Sequence, residues 1–328
     1  MIHFAVEKAN RVLVIAHVDP DGDAIGSLTA VGQALQQLGK RATLVCDDAV
    51  PARFHYLPLA GDVRRAPNPD VSYDLVIAVD CADESRMGWA YDRLKEPKPT
   101  LANIDHHVTN TNFGAFNVID PDASSTAEVL HRFLPEIGVE MTQGMAESLL
   151  TGIITDTMGF RTSNVTAATL RATADLVDAG ADIAAISLRA LHQRPYATAQ
   201  LWAIGLDRMK LEDDGLIWTT ISRAAVQDAG MERAPSSAGL VNFLLDIDTA
   251  VMAVVLTEMS EEDAVRVTMR CHSPYNVAEV ARQFGGGGHA LAAGCSLEGT
   301  LDEAAARLVA ACHDAIRRAQ PTSIVSTP

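Results

Sequence analysis

The stretch VLVIAHVDPDGD, residues 12–23, joins an apolar run to a turn that is rich in acidic side chains. The run of residues 12–16 is short and continuously apolar, which predicts a strand buried on both faces of a parallel sheet. His17, Asp21 and Asp23 follow where that strand would end. Open α/β sheets bind their ligands at the carboxyl ends of the strands. The stretch therefore predicts both a parallel sheet and a polar site at its edge.

Two later segments repeat this arrangement of an apolar run that ends in acidic or imidazole groups. Residues 75–79 are apolar and end at Asp80, and residues 101–104 lead into Asp105-His106-His107. Groups that are costly to bury gather in one place only with a counter-charge, and divalent cations supply one. The three segments together predict a hydrolase that uses two metal ions.

The acidic turn alone has two other interpretations. Asp19, Asp21 and Asp23 alternate as in a calcium-binding loop, but Ala24 and Ala30 stand where that loop requires Gly and Glu. A solvated acidic turn is the other alternative, and its position after a buried strand disfavours it.

The rest of the chain predicts an α/β fold in two parts. The first part alternates strands with helices, which implies a parallel sheet with flanking helices, and helical patterns then dominate residues 125–191. The second part begins near a hairpin signal at Asp214-Gly215 and is a smaller α/β domain. The expected boundaries are residues 1–192 for the first domain, 193–209 for a connecting helix, 210–320 for the second domain and 321–328 for a disordered tail.

Composition restricts the kinds of partner. The net charge of −16 over 328 residues argues against binding long duplex nucleic acid, whose affinity depends on many Lys and Arg contacts to phosphates. Short phosphorylated substrates remain compatible, because bound metals cancel acidic charge locally. No apolar stretch approaches the roughly 20 residues that span a bilayer. We therefore expect a cytoplasmic protein that does not bind membranes.

The acidic and imidazole segments resemble the four motifs of the DHH phosphoesterase superfamily. The matching residues are His17, Asp21, Asp23, Asp80, Asp105, His106, His107 and Asp156. The second part, with Gly285-Gly286-Gly287-Gly288-His289, resembles the associated DHHA1 substrate-binding domain. The two resemblances cover nearly the whole chain. Within the superfamily, the arrangement is most similar to short bacterial nanoRNases that also remove phosphate from 3′-phosphoadenosine 5′-phosphate.

The resemblance implies a site for two Mn²⁺ ions, with Mg²⁺ or Co²⁺ as substitutes. One ion would be held by His17, Asp21 and a bridging Asp80. The other would be held by Asp23, Asp80, His106 and Asp156. Oxygen and imidazole ligands suit Mn²⁺, and paired metals flanking a phosphoryl group lie about 3.5–4 Å apart.

Two residues beside the ligands are expected to act in catalysis. His107 would donate to a phosphoryl oxygen or to the leaving group, a role that contributes about 10²–10⁴ in rate. Asp105 would orient an imidazole or support the cluster.

The second domain is expected to supply substrate specificity. Consecutive glycines can turn successive N–H groups toward one anion, and Gly286, Gly287 and Gly288 with His289 are the candidates for such a site. Arg270 matches a family position that contacts the nucleotide. Arg161, which follows Asp156 by five residues, is a weaker candidate for a bidentate contact to a phosphate.

The resemblance predicts an exonuclease that degrades short RNA or DNA oligonucleotides to mononucleotides and acts on small phosphorylated nucleotides. A cyclic di-AMP phosphodiesterase is the alternative within the same class. A nucleotide sensor without turnover is the alternative from another class, disfavoured because every expected metal ligand is present. Apolar helical faces in the first domain are compatible with a homodimer.

Overall fold

The computed structural model describes residues 2–231, 239–259 and 264–319, and the chain divides into two compact units, residues 1–193 and 194–328. The expected tail, residues 321–328, lies outside the described residues. Within the described residues, the structure has no helix of the length and apolarity that crossing a membrane requires.

The first unit contains a five-stranded parallel sheet in the order β2-β1-β3-β4-β5. The strands are β1 (Arg11–Ala16), β2 (Arg41–Val45), β3 (Leu75–Val79), β4 (Thr100–Asp105) and β5 (Phe116–Ile119). All five residues of β3 are buried, as expected for a strand covered on both faces. The chain adds β2 on one side of β1 and β3 on the other, so the strand order reverses between β1 and β3. Ligands bind at such a reversal in open α/β sheets.

Helices surround this sheet. They are α1 (Ile2–Lys8), α2 (Gly22–Gln37), α3 (Trp89–Asp92), α4 (Thr126–Glu136), α5 (Gln143–Asp156), α6 (Ala167–Asp178) and α7 (Ile183–Ser187), with a short turn of π-helix at Leu188–His192. The largest apolar core of this unit lies between one sheet face and helices α2, α4 and α5. A second core, which includes Leu13, Ile15 and Met87, covers the opposite face. The sheet is therefore covered on both sides, as its apolar strands predicted.

Helices α2 and α5 approach each other through glycines. A Cβ atom on Gly26 would lie 2.4 Å from the carbonyl oxygen of Ser148, and one on Gly152 would lie 2.5 Å from an Asp23 carboxylate oxygen. Neither distance is compatible with a larger side chain, so glycine is required at this crossing. The close approach brings Asp156, the last residue of α5, toward Asp23 in the first turn of α2.

The second unit is built on a mixed six-stranded sheet in the order β10-β11-β9-β8-β7-β6. The strands are β6 (Lys210–Leu211), β7 (Leu216–Ile221), β8 (Met252–Glu258), β9 (Ala264–Cys271), β10 (Gly287–His289) and β11 (Ala292–Glu298). The helices are α8 (Tyr196–Asp207), α9 (Arg223–Asp228), α10 (Leu240–Leu245), α11 (Val277–Arg282) and α12 (Leu301–Ala319). The predicted hairpin at Asp214-Gly215 is present between β6 and β7.

The glycine-rich run differs from the loop of turned N–H groups that the sequence suggested. The N–H groups of Gly285 and Gly286 donate to carbonyls at the end of α11, and Gly287 begins the edge strand β10. A Cβ on Gly286 would lie 2.3 Å from the carbonyl oxygen of Gly294 in β11, whereas one on Gly287 would meet nothing within 4 Å. The glycines therefore serve mainly a tight β-hairpin, and the backbone at Gly287 stays open to a ligand.

The glycine crossing of α2 and α5 yields a stability prediction. We expect Gly26→Ala to lower the free energy of unfolding by about 1–3 kcal/mol, because the clash with backbone exceeds the helix-propensity gain of about 1 kcal/mol. Gly61→Ala is the control, since a Cβ there meets nothing within 4 Å. Urea unfolding monitored by circular dichroism measures both. Equal stability of the two variants would contradict the close crossing.

Candidate metal centre

The parallel register places three of the predicted residues side by side at the carboxyl edge of the sheet. Ala16 of β1 pairs with Val79 of β3, so His17 and Asp80 follow on neighbouring strands. The Asp80 N–H donates to the carbonyl oxygen of Ile104, which directly precedes Asp105. Asp80 adopts a φ of 59°, an uncommon conformation for a residue other than glycine. Such strain is typical of functional sites, where the surrounding structure maintains it.

Asp80 is the centre of the cluster because its two carboxylate oxygens face different imidazoles. Its Oδ2 lies 3.4 Å from Nε2 of His17, and its Oδ1 lies 3.8 Å from Nε2 of His106. The Thr126 hydroxyl donates to Oδ1 at 2.9 Å and fixes the orientation of the carboxylate. This arrangement is the one that a carboxylate bridging two cations requires.

Asp23 is buried at the N-terminus of helix α4. Its Oδ2 accepts from the Thr126 N–H at 2.6 Å, and its Oδ1 accepts from the Ala127 N–H at 2.9 Å. A helix N-terminus favours a negative charge, so α4 stabilises this carboxylate. Asp23, His106 and Asp156 each place one ligand atom within 4.8 Å of the others.

The imidazoles of His17 and His106 are oriented by backbone carbonyls. Nδ1 of His17 lies 2.7 Å from the oxygen of Val18, and Nδ1 of His106 lies 3.3 Å from the oxygen of Ala123. When each Nδ1–H donates to its carbonyl, the Nε2 lone pair points into the carboxylate cluster. Histidines that bind metals are commonly held in this way.

His107 points its Nδ1 elsewhere. That nitrogen lies 2.7 Å from Oδ1 of the fully buried Asp105, and the other oxygen of Asp105 accepts from Asn110 at 2.6 Å. Burial opposes a charge on His107, yet its hydrogen bond to Asp105 and the charge of Asp80 raise its pKa above the ordinary value. The arrangement therefore holds a proton on His107 to a higher pH than on a free imidazole, as suits a general acid.

Burial and mutual repulsion shift the pKa values of two carboxylates in the cluster. Burial raises the pKa of Asp156 to about 8, and the neighbouring Asp80 and Asp21 add to the effect. Burial and the charges of Asp80 and Asp156 also raise the pKa of Asp23. Burial lowers the basicity of His17, but Asp21 and Asp80 outweigh it and raise its pKa to about 11. The cluster thus takes up protons where a metal would otherwise supply positive charge.

The donor set fits divalent cations. Three groups converge within 4.8 Å: His17 with Asp21 and Asp80, Asp23 with His106 and Asp156, and Asp80 with His106 and His107. The first group consists of the residues predicted for one ion, and the second contains three of the four predicted for the other, without Asp80. The third overlaps them, but Nδ1 of His107 is already engaged by Asp105. Buried carboxylates with imidazoles and no Cys ligand are typical of Mn²⁺ or Mg²⁺ sites.

Other candidates lie outside this cluster. Asp19 is exposed in the turn, where its N–H donates to Asp48. Arg161 is exposed after α5, and its N–H donates to the carbonyl of Thr157. In the second unit, Arg270 lies half-buried on β9, and the exposed His289 ends β10 next to Gly287 and Gly288.

Two side chains that support the cluster were not predicted. The Thr126 hydroxyl donates to Asp80 while its backbone N–H donates to Asp23, and the Asn110 side chain donates to Asp105. The segment Ser125-Thr126-Ala127-Glu128 carries a capping signal for a helix start. That signal identifies an N-terminus able to hold an anion, although it does not reveal which carboxylate approaches it.

The fold and site define a phosphoester hydrolase. The DHH family N-terminal domain matches residues 11–153, and the DHHA1 domain matches residues 224–318. The chain belongs to the DHH family, as its motifs predicted.

Three similar proteins agree with this assignment. A bifunctional oligoribonuclease and PAP phosphatase (NrnA) of Thermus thermophilus is 34% identical and aligns over 94% of this chain and 91% of its own length. A probable manganese-dependent inorganic pyrophosphatase of Bacillus licheniformis is 25% identical over 79% of this chain and 91% of its own. The crystal structure of an exopolyphosphatase-related protein from Bacteroides fragilis superposes with a TM-score of 0.87 at 23% identity, covering 97% of this chain and 94% of that one. This last likeness confirms the fold.

Metal binding should release protons. Near pH 7, Asp156 with a pKa of about 8 and His17 with a pKa of about 11 hold protons that a cation must displace. Mn²⁺ affinity should therefore rise steeply with pH up to about pH 8, where Asp156 loses its proton, and continue to rise less steeply toward pH 11 as His17 loses its own. Calorimetric titration with Mn²⁺ in two buffers of different ionisation enthalpy measures the proton release, with Asp80→Asn as the variant expected to lose the binding heat. Binding with no proton release would contradict the carboxylate cluster described above.

His107 should be needed for turnover and dispensable for metal. We expect His107→Ala to lower kcat by about 10²–10⁴ while Mn²⁺ affinity stays within about threefold of wild type. Because a general acid must be protonated, the wild-type rate should fall as pH rises through the pKa of His107. The pH–rate profile of the variant should not show this decrease. His55→Ala, an exposed imidazole of the same unit, is the matched control. Unchanged kcat, or loss of Mn²⁺, would reject the role.

Proposed function

We propose that the protein is a Mn²⁺-dependent phosphoesterase that hydrolyses short oligonucleotides to mononucleotides and removes phosphate from 3′-phosphoadenosine 5′-phosphate. The observation that carries the proposal is the position of Asp80, whose two oxygens face His17 and His106 at the reversal of strand order. The 34% identity to an oligoribonuclease and PAP phosphatase over nearly the full length supports this substrate class.

The proposed ligands divide into two sets that share one carboxylate. His17, Asp21 and Asp80 would hold one Mn²⁺, and Asp23, Asp80, His106 and Asp156 would hold the other, with Mg²⁺ or Co²⁺ as substitutes. The similarity to a probable manganese-dependent inorganic pyrophosphatase supports the choice of metal. When bound, such cations acidify a water molecule and stabilise the charge that develops on the phosphoryl oxygens.

The protein's own side chains supply positioning and proton transfer. His107, held by Asp105 at 2.7 Å, would donate a proton to the leaving oxygen of the nucleotide. Asn110 donates to both Asp105 and Asn103 of strand β4, and these hydrogen bonds fix the position of the Asp105–His107 pair. The resulting rigidity keeps the imidazole aimed while substrate binds.

The second unit is proposed to bind the nucleotide. In the hairpin that contains Gly286, Gly287, Gly288 and His289, the backbone is open at Gly287, and the exposed His289 places an imidazole beside it. Arg270 of this unit and Arg161 of the first unit would contact phosphate groups, since a guanidinium binds phosphate through paired hydrogen bonds. A cytoplasmic location and a homodimer complete the proposal.

A substrate panel tests this function. Purified protein with Mn²⁺ is assayed on 3′-phosphoadenosine 5′-phosphate, a dinucleotide, a 20-mer RNA, cyclic di-AMP and pyrophosphate, with Asp80→Asn as the control for contaminating nucleases. We expect 3′-phosphoadenosine 5′-phosphate and the dinucleotide to react at least about 100-fold faster than the 20-mer. In a short substrate, both terminal groups can be contacted by the protein, whereas a long strand leaves one end without contacts.

Each other outcome selects a different function. Pyrophosphate as the preferred substrate would overturn the proposal. Cyclic di-AMP as the only good substrate would favour the phosphodiesterase alternative. Nucleotide binding without turnover on any member of the panel would favour a sensor.

A further inference from the structure

Arg86 lies beside the metal centre on a segment that is tightly fixed. It belongs to a 3₁₀ turn, Glu84–Met87, whose start is capped by the carboxylate of Asp83 through the N–H groups of Ser85 and Arg86. The carbonyl oxygen of Arg86 accepts from the N–H of Val18 at 2.9 Å. The loop after β3 is thereby joined to the loop after β1, and the backbone of Arg86 is held next to His17.

The guanidinium of Arg86 has an unusual partner for a half-buried cation. Its Nη2 lies 3.0 Å from Nδ1 of His17, and no carboxylate oxygen of the described residues lies within 4.0 Å of it. Partly buried cations are normally paired with an acid. Asp21 and Asp80 lie instead near Nε2 of His17, and Asp83 caps the turn that carries Arg86.

The contact with His17 competes with the tautomer that binds metal. Nδ1 of His17 also lies 2.7 Å from the oxygen of Val18, and an Nδ1–H that donates to this carbonyl leaves Nε2 facing Asp21 and Asp80. An Nδ1 that carries a proton cannot accept one from Arg86. When His17 carries its proton on Nδ1, the N–H groups of the Arg86 guanidinium can donate to an anion next to the metal centre.

The charge balance of the site indicates that this anion is a phosphate group of the substrate. Four carboxylates stand in the two proposed ligand sets, so two divalent cations would neutralise them without a surplus for substrate. A nucleotide brings further negative charge on its phosphates, and this charge requires an additional cation close by. A guanidinium matches a phosphate through two parallel hydrogen bonds.

We propose that Arg86 binds a phosphate oxygen of the nucleotide on the His17 side of the metal centre. This inference rests on the proposed function and adds a residue on the metal-binding unit to the substrate contacts predicted from sequence. It also predicts that a mononucleotide product, which retains that phosphate, binds through the same side chain.

Kinetics and product binding test this role with three variants. For Arg86→Gln we expect KM for a dinucleotide to rise at least about tenfold with kcat within about threefold, since a charged hydrogen bond to phosphate is lost. AMP affinity of the Mn²⁺-loaded protein, measured by calorimetry, should fall by a similar factor. Arg86→Lys should lie between, because Lys keeps the charge without the paired geometry. Arg93→Gln, an exposed arginine of the same unit, should match wild type.

Two results would overturn the proposal. Unchanged KM and AMP affinity in Arg86→Gln would show that no phosphate contacts this side chain. Loss of bound Mn²⁺, measured by elemental analysis, in both Arg86→Gln and Arg86→Lys would show that Arg86 instead holds His17 in place. Failure of the proposed function gives a different result. Wild-type protein would then hydrolyse neither the dinucleotide nor 3′-phosphoadenosine 5′-phosphate, while AMP binding would still report on Arg86.

Discussion

The repulsion among buried carboxylates is the constraint on which this site depends. Burial raises the pKa of Asp23 and of Asp156, the charge of Asp80 adds to both shifts, and protein groups relieve only part of this cost. The N-terminus of α4 stabilises Asp23, and the Thr126 hydroxyl donates to Asp80. The remaining imbalance would favour the binding of cations, since a metal removes the repulsion that protons otherwise neutralise.

The fold creates this proximity from positions that are distant along the chain. Parallel pairing of β1, β3 and β4 aligns the residues that follow each strand, next to the reversal of strand order where open α/β sheets bind ligands. The glycine crossing between α2 and α5 then brings in Asp156 from the side. The site is assembled on helix and strand ends, which hold ligand geometry better than free loops do.

The two imidazoles of the Asp105-His106-His107 segment divide the chemistry. His106 is oriented by a backbone carbonyl and turns Nε2 toward Asp80 and Asp156. His107 is held by Asp105, which raises its pKa and reserves it for a proton. Both rings lie close together, with centroids 4.7 Å apart, so their different hydrogen-bond partners are what fit them for the proposed ligand and acid roles.

The sequence by itself determined the parallel sheet and the residues that converge on it. Each continuously apolar strand ended in an acid or an imidazole, and strand ends in such a sheet must meet at one edge. It did not predict β5, Phe116–Ile119, which is only half-buried and lacks the apolar signature. The local pattern of glycines 285–288 likewise gave no sign that Gly286 faces the backbone of Gly294. Only the tertiary structure decided that α4 caps Asp23 and that Arg86 lies against His17, because those contacts join segments whose own periodicity carries no information about each other.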